Sequence, residues 1–186
     1  MTNICRIVYG KFKNDIEKAI HLTEKAEKRG VEQAFGICRY PNGELVKTKS
    51  SSEWREGMTL LPTDCPEGSK LVGSFHSHHS DMHSDTDILA DLINGLEFSC
   101  IGYIRKFNPQ KGEYDKKYGL KCIDYSKVSE EGIDYILDEL REFREWYNEV
   151  ERPTPLEVYK HLKTIMDTIK RHGGEICEIP IEVEIQ

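Results

Sequence analysis

The stretch from Leu71 to Leu92, LVGSFHSHHSDMHSDTDILADL, constrains this chain more than any other. Leu71, Val72 and Phe75 predict a buried strand, and Ile88, Leu89, Leu92 and Ile93 recur at helical spacing. Between them lie His76, His78, His79 and His83, four of seven histidines, with Asp81, Asp85, Asp87, Ser77, Ser80 and Ser84. A strand must therefore end, and a helix begin, inside a cluster of metal-ligating side chains. Alternate strand residues share a face, so His76 and His78 can converge on one point. Neutral imidazoles with a carboxylate suit a divalent metal, zinc above all. A catalytic zinc takes three protein ligands and keeps one position open. Asp87 is the expected third ligand, because it starts the helix beside the strand end.

The remaining chain places elements around this junction. Cys5 to Tyr9 predict a short first strand. Asn14, with Glu17 three residues later, predicts a capped helix with Ile16, Ala19, Ile20 and Ala26 as its buried stripe and Gly30 as its stop. Val31 to Tyr40 read as a strand, turned by Pro41-Asn42-Gly43 into a hairpin partner, Glu44 to Thr48. Residues 49 to 70 read as an irregular loop beside the site. In it, Trp54 suits a substrate contact or a local core plug. The helix after the histidines is expected from Asp85 to Asn94, ending at Asn94-Gly95. Strands follow at Phe98 to Ile104 and Tyr118 to Tyr125, with a turn between Asn108 and Tyr114.

From Glu130 to Glu151 one helical face carries Ile133, Ile136, Leu137, Leu140, Phe143, Tyr147 and Val150, and Pro153 breaks it. Thr154-Pro155-Leu156-Glu157 is a capping box that opens a second helix, ending at Gly173-Gly174. Residues 130 to 172 thus predict a helical hairpin, and Glu175 to Gln186 an edge strand. The expected fold class is α/β, a sheet with helices packed on it. The expected division is a site-bearing domain over 1–127 and a C-terminal helical hairpin with edge strand over 128–186.

Composition narrows the function classes. A net charge of −7 argues against a nucleic-acid binder that neutralises phosphates broadly. The chain has no apolar run long enough for a transmembrane helix, and its first residues lack the apolar core of a secretion signal. The six cysteines are scattered, with no Cys-x-x-Cys pair. They are expected to be reduced, in a cytoplasmic protein, and neither a zinc ribbon nor a disulfide scaffold is expected.

A metal at His76, His78 and Asp87 would activate water, and that water needs a base. Glu32, acidic at the start of an otherwise apolar strand and ahead of a glycine, is the candidate. Ser84 is placed to steady the oxyanion of a tetrahedral intermediate. These residues resemble the signature of the JAMM (MPN+/JAB) metalloprotease family: a Glu, then His-x-His-Pro, a spacer, and Ser-x-x-Asp. GSFHSH is similar to that family's strand entering the site, and CIGYI to the strand after its helix.

The resemblance covers roughly residues 1 to 125. It implies a largely antiparallel mixed sheet sandwiched by helices. It implies a Zn2+ centre with His76, His78 and Asp87 as ligands, Ser84 as site serine and Glu32 as base. It also implies cleavage of peptide or isopeptide bonds, often at the C-terminus of a ubiquitin-like protein or a small sulfur carrier. The expected partner is such a protein conjugate, not nucleic acid or membrane, and a homodimer is compatible. The chain differs from the family pattern at three points. His79 replaces the proline, the His78–Ser84 spacer is two residues shorter, and the glycine after Glu32 comes one residue later.

Plainer readings exist for the same residues. Ser84-x-x-Asp87 is also a helix capping box, and Glu32 an exposed strand-start carboxylate. His79 and His83 read as loop residues, and Asp81 and Asp85 as solvated charges that suit a helix dipole. The alternative function is a catalytically weak scaffold of the same fold that binds partners. A phosphoesterase is disfavoured because Ser80 and Asp81 break its His-x-His-x-Asp-His spacing, and a deaminase because no Pro-Cys-x-x-Cys follows.

Overall fold

The computed structural model describes residues 3–26, 32–52, 61–182 and, for the backbone alone, 54–55 and 58–59. The elements in chain order are α1 (Ile4–Lys25), β1 (Ala34–Arg39), β2 (Leu45–Lys47), β3 (Trp54–Arg55), β4 (Met58–Thr59), β5 (Lys70–His78), α2 (Asp85–Ile93), β6 (Phe98–Asn108), β7 (Glu113–Asp124), α3 (Glu130–Glu149), α4 (Pro155–Arg171) and β8 (Glu175–Pro180). A six-stranded mixed sheet runs β2-β1-β5-β6-β7-β8, and β3-β4 form a separate ribbon. Only β5 and β6 pair in parallel, joined through α2; the other neighbours are antiparallel.

The first strand and the helix start at Asn14 expected from sequence are corrected. Cys5 to Tyr9 open α1, capped by Asn3, whose side chain accepts from the Arg6 N–H. Cys5, Val8, Phe12, Ile16, Ala19, Ile20 and Thr23 form one buried stripe. Ile7 and Val8 favour strands locally, but packing of this stripe on the sheet outweighs that preference. A kink at Phe12 divides the helix just ahead of Asn14. Gly30 and Val31 lie outside the described residues.

Each face of the sheet buries its own core. On one, α1 packs against Phe35, Ile37, Phe75, Cys100, Leu120 and Cys122. On the other, α2, α3 and α4 contribute Ile88, Ile136, Phe143, Ile165 and Ile169 around Ile123. Strand alternation explains how Cys122 and Ile123 serve opposite cores. The C-terminal hairpin therefore completes the second layer, and β8 extends the sheet beside β7. The β6–β7 hairpin is longer than expected. Its outer half, Lys106 to Lys117, pairs mostly through polar residues and is anchored by one aromatic cross-strand pair, Phe107 with Tyr114.

The cysteines are the clearest correction. They form three bridges, Cys5–Cys177, Cys38–Cys65 and Cys100–Cys122. Cys100 and Cys122 face each other across β6 and β7, and Cys122 is registered with Cys177 across β7 and β8. Strand register, invisible in the spacing, creates the Cys100–Cys122 pair, while packing of α1 on the sheet brings Cys5 to Cys177 and the segment after β4 brings Cys65 to Cys38. The ground for expecting reduced, cytoplasmic cysteines is removed. No helix among the described residues is long and apolar enough to cross a membrane.

Two close approaches shape the region of the site. A Cβ on Gly36 would meet the Pro62 carbonyl oxygen at 2.5 Å, so glycine lets the 61–63 segment cross β1. Asp85, expected to be solvated, is instead buried and held by Arg144 of α3 at 2.6 Å and 3.0 Å. Arg144→Met leaves that carboxylate without its partner. It is expected to cost about 1–3 kcal/mol, read as a lowered denaturation midpoint. An unchanged midpoint would mean that the pair contributes nothing to α2–α3 docking.

Candidate metal centre

β5 ends where α2 begins, and this junction assembles the centre. His76 and His78 project from the same face of β5, with ring centroids 5.4 Å apart. Ser84 is the N-cap of α2 and Asp87 its N3 residue. The Ser84 hydroxyl accepts from the Asp87 N–H, and Asp87 Oδ2 accepts from the Ser84 N–H, both at 3.1 Å. The capping box thus aims the carboxylate back at the strand. Asp87 Oδ2 stands 3.3 Å from His76 Nε2 and 3.5 Å from His78 Nε2. Capping and ligand geometry are the same arrangement, and the shortened spacer still lets Asp87 reach both histidines.

The residues fit a divalent metal. One ligand atom from each of His76, His78 and Asp87 lies within 4.8 Å of the others. His78 Nδ1 is 2.8 Å from the Ser80 carbonyl oxygen, so it carries the proton and Nε2 presents its lone pair. Among the described residues, His76 Nε2 is buried with no aligned hydrogen-bond partner, although Asp87 Oδ2 stands 3.3 Å away. A buried orphan nitrogen is costly unless something binds it. A second such group, Cys5, Cys122 and Cys177, is taken up in disulfides.

Charge reinforces this picture. Burial works against a charged His76, but the Asp87 carboxylate outweighs it and, with Glu32 and Asp91, pushes the imidazole up to about 9. Burial would raise Asp87, yet His76, His78 and His83 hold it well below the usual carboxylate range. In the metal-free protein, the raised His76 value has a signed consequence. Its contribution to stability is complete below about pH 6.5 and is lost as pH rises through about 9. Melting temperatures of the metal-free protein should therefore fall across that window. His76→Gln should flatten the fall, and a wild-type profile already flat would rule out the ion pair.

Glu32 lies just ahead of β1 and lines the same cleft of about 530 Å³ as His76, His78, Ser84 and Asp87. Ser77 holds the neighbouring residue, Gln33, through two hydrogen bonds. The Gln33 N–H donates to Ser77 Oγ, and the Ser77 N–H donates to the Gln33 carbonyl, each at 2.8 Å. Ala34 is registered with His76; continued, that pairing sets Glu32 opposite His78. The other candidates point elsewhere. Asp81, expected to be solvated, is buried and accepts from the Phe107 N–H at 2.9 Å. His83 is fully buried against the Ser99 carbonyl, and burial pushes it down to about 3. His79 is on the β5–α2 connection and outside the ligand group. The side chain of Trp54 lies outside the described residues.

Asp91 also lines the cleft and was missed by the sequence reading. It is buried and accepts from Ser99 Oγ at 2.5 Å and from the Tyr125 hydroxyl at 2.7 Å. Burial raises it to about 7 against those two hydrogen bonds, and the Asp87 charge adds to the rise. The signal was present: Asp91 is one turn beyond Asp87, on the face of α2 that carries Ile88.

The fold and this junction define a mixed α/β protein with a His-His-Asp centre at a strand end. No protein-family model matches the chain, and no curated protein matches it.

Proposed function

We propose that this protein is a zinc-dependent peptidase or isopeptidase of the JAMM type. The observation that carries the reading is the convergence of His76, His78 and Asp87 in a cleft that Glu32 and Ser84 also line. Helices on both faces of a mixed sheet support the same family reading.

Zinc, when bound, supplies Lewis acidity that polarises a carbonyl and makes water nucleophilic near neutral pH. The chain's own residues do the rest. His76, His78 and Asp87 hold the ion, with His78 oriented by Ser80. Glu32 takes the proton of the attacking water and returns it to the leaving amine. Ser84 Oγ lies 3.0 Å from Thr86 Oγ1, so Thr86 can donate to it and leave the serine proton for the oxyanion. Asp91, tied to Ser99 and Tyr125, holds the α2 wall of the cleft. The substrate is a protein C-terminus or isopeptide linkage of a ubiquitin-like or sulfur-carrier protein, presented as an extended tail.

The test combines metal analysis with cleavage of a ubiquitin-like fusion. One equivalent of zinc and cleavage at the junction are expected. A protein that takes up no zinc sinks the catalytic reading. Zinc uptake without cleavage of any such fusion supports the binding-scaffold reading instead.

A further inference from the structure

A second cleft, of about 270 Å³, shares no residue with the metal centre. It is bounded by β6, β7 and β8, by α4, and by Asp81 and Met82 of the β5–α2 connection. Four lysines, Lys106, Lys121, Lys163 and Lys170, face three carboxylates, Asp81, Asp167 and Glu178. This balance is positive in a chain whose net charge is −7.

The carboxylates on the floor are already committed. Glu178 Oε2 accepts from Lys106 Nζ at 2.6 Å and from the Tyr103 hydroxyl at 2.5 Å. Asp81 accepts from the Phe107 backbone. The lysines are not matched in the same way. Lys121 is half-buried on β7, and among the described residues its ammonium donates only to the Met82 sulfur, at 3.5 Å. Among the described residues, Lys121, Lys163 and Lys170 make no ion pair within 4.0 Å. A thioether is a weak acceptor, and the carboxylates that act on Lys121, Asp81 and Glu178, already accept from other donors, so burial of its ammonium is only partly offset. Burial accordingly holds Lys121 below the ordinary lysine range.

We infer that this cleft binds a phosphoryl group, with Lys121 beneath the anion and Lys163 and Lys170 closing on it from α4. Lysine ammoniums are compact point charges with three donors each, suited to a multi-oxygen dianion. Tyr159, whose ring packs 4.9 Å from that of Phe107, lines the same cleft and offers a surface for the organic part of a phosphorylated small molecule.

The experiment is calorimetric titration with inorganic phosphate, pyrophosphate and adenosine monophosphate at constant ionic strength. It uses the wild-type protein and the His76→Ala variant, so that anion binding at the metal centre is separated. Saturable binding is expected in both, weakened at least tenfold by Lys121→Met. The exposed pair Lys163→Glu/Lys170→Glu should weaken it similarly, and it decides the matter should Lys121→Met fail to fold. Tighter binding of the nucleotide than of phosphate identifies an organic phosphate; equal binding identifies the phosphoryl group alone. The inference is overturned by no saturable binding in wild type, or by binding that survives the lysine changes and disappears in His76→Ala.

Discussion

Glu32→Gln is expected to lower turnover of a ubiquitin-like fusion by about 10²–10⁴-fold while zinc content stays at the wild-type level. The substitution preserves shape and removes only the ability to accept a proton. Glu32 precedes β1, and the metal ligands come from β5 and α2, so the isostere leaves the ligand set intact. His76→Ala should behave differently. It removes one of three ligands and leaves His78 and Asp87 alone to hold the ion, so metal and activity are lost together. The two variants therefore separate proton transfer from metal binding. Wild-type turnover in Glu32→Gln would show that the base lies elsewhere. Full zinc retention in His76→Ala would show that the ligand set is misassigned.

Removing the Cys5–Cys177 bridge should be the most damaging change outside the centre. It joins the first turn of α1 to β8 across 172 residues of sequence. In the chain-entropy account, a loop of that length restricts the unfolded state by about 5 kcal/mol, with measured effects on native bridges of about 2–5 kcal/mol. Cys5 is fully buried against the sheet, so alanine suits the site better than serine. Cys5→Ala/Cys177→Ala is expected to lower the melting temperature by about 10 °C. A dithiol reductant should lower the wild-type value at least as far. Titration of six free thiols in the untreated, denatured protein would show that the bridges are absent.

Much of the centre was legible because it is local. His76 and His78 are two residues apart on one strand, and Ser84 and Asp87 three apart at a helix start. Both spacings map onto one face or one cap whatever the remaining chain does. The second helix of the hairpin was legible for the same reason, through Thr154 and Glu157. Reading Cys5 to Tyr9 as a strand failed because local preference was mistaken for periodicity. Extended by Phe12, Ile16 and Ala19, those residues form one helical stripe.

What the sequence by itself determined, then, is the set of contacts made within one element or across one short turn. These are the His-x-His pair, the capping box that turns Asp87 toward it, and the amphipathic stripes of α3 and α4. Only the tertiary structure decided which distant residues meet. Antiparallel pairing of β1 with β5 brings Glu32 to the cleft, with Ser77 pinning the following residue. The sheet register aligns Cys100, Cys122 and Cys177 on adjacent strands beneath Cys5. The burial of Asp85, Asp91 and Lys121 likewise comes from the elements that close over them. The physical reason is that strand and helix periods are properties of neighbouring residues. Register between strands and the burial of a charge depend on how the whole chain closes.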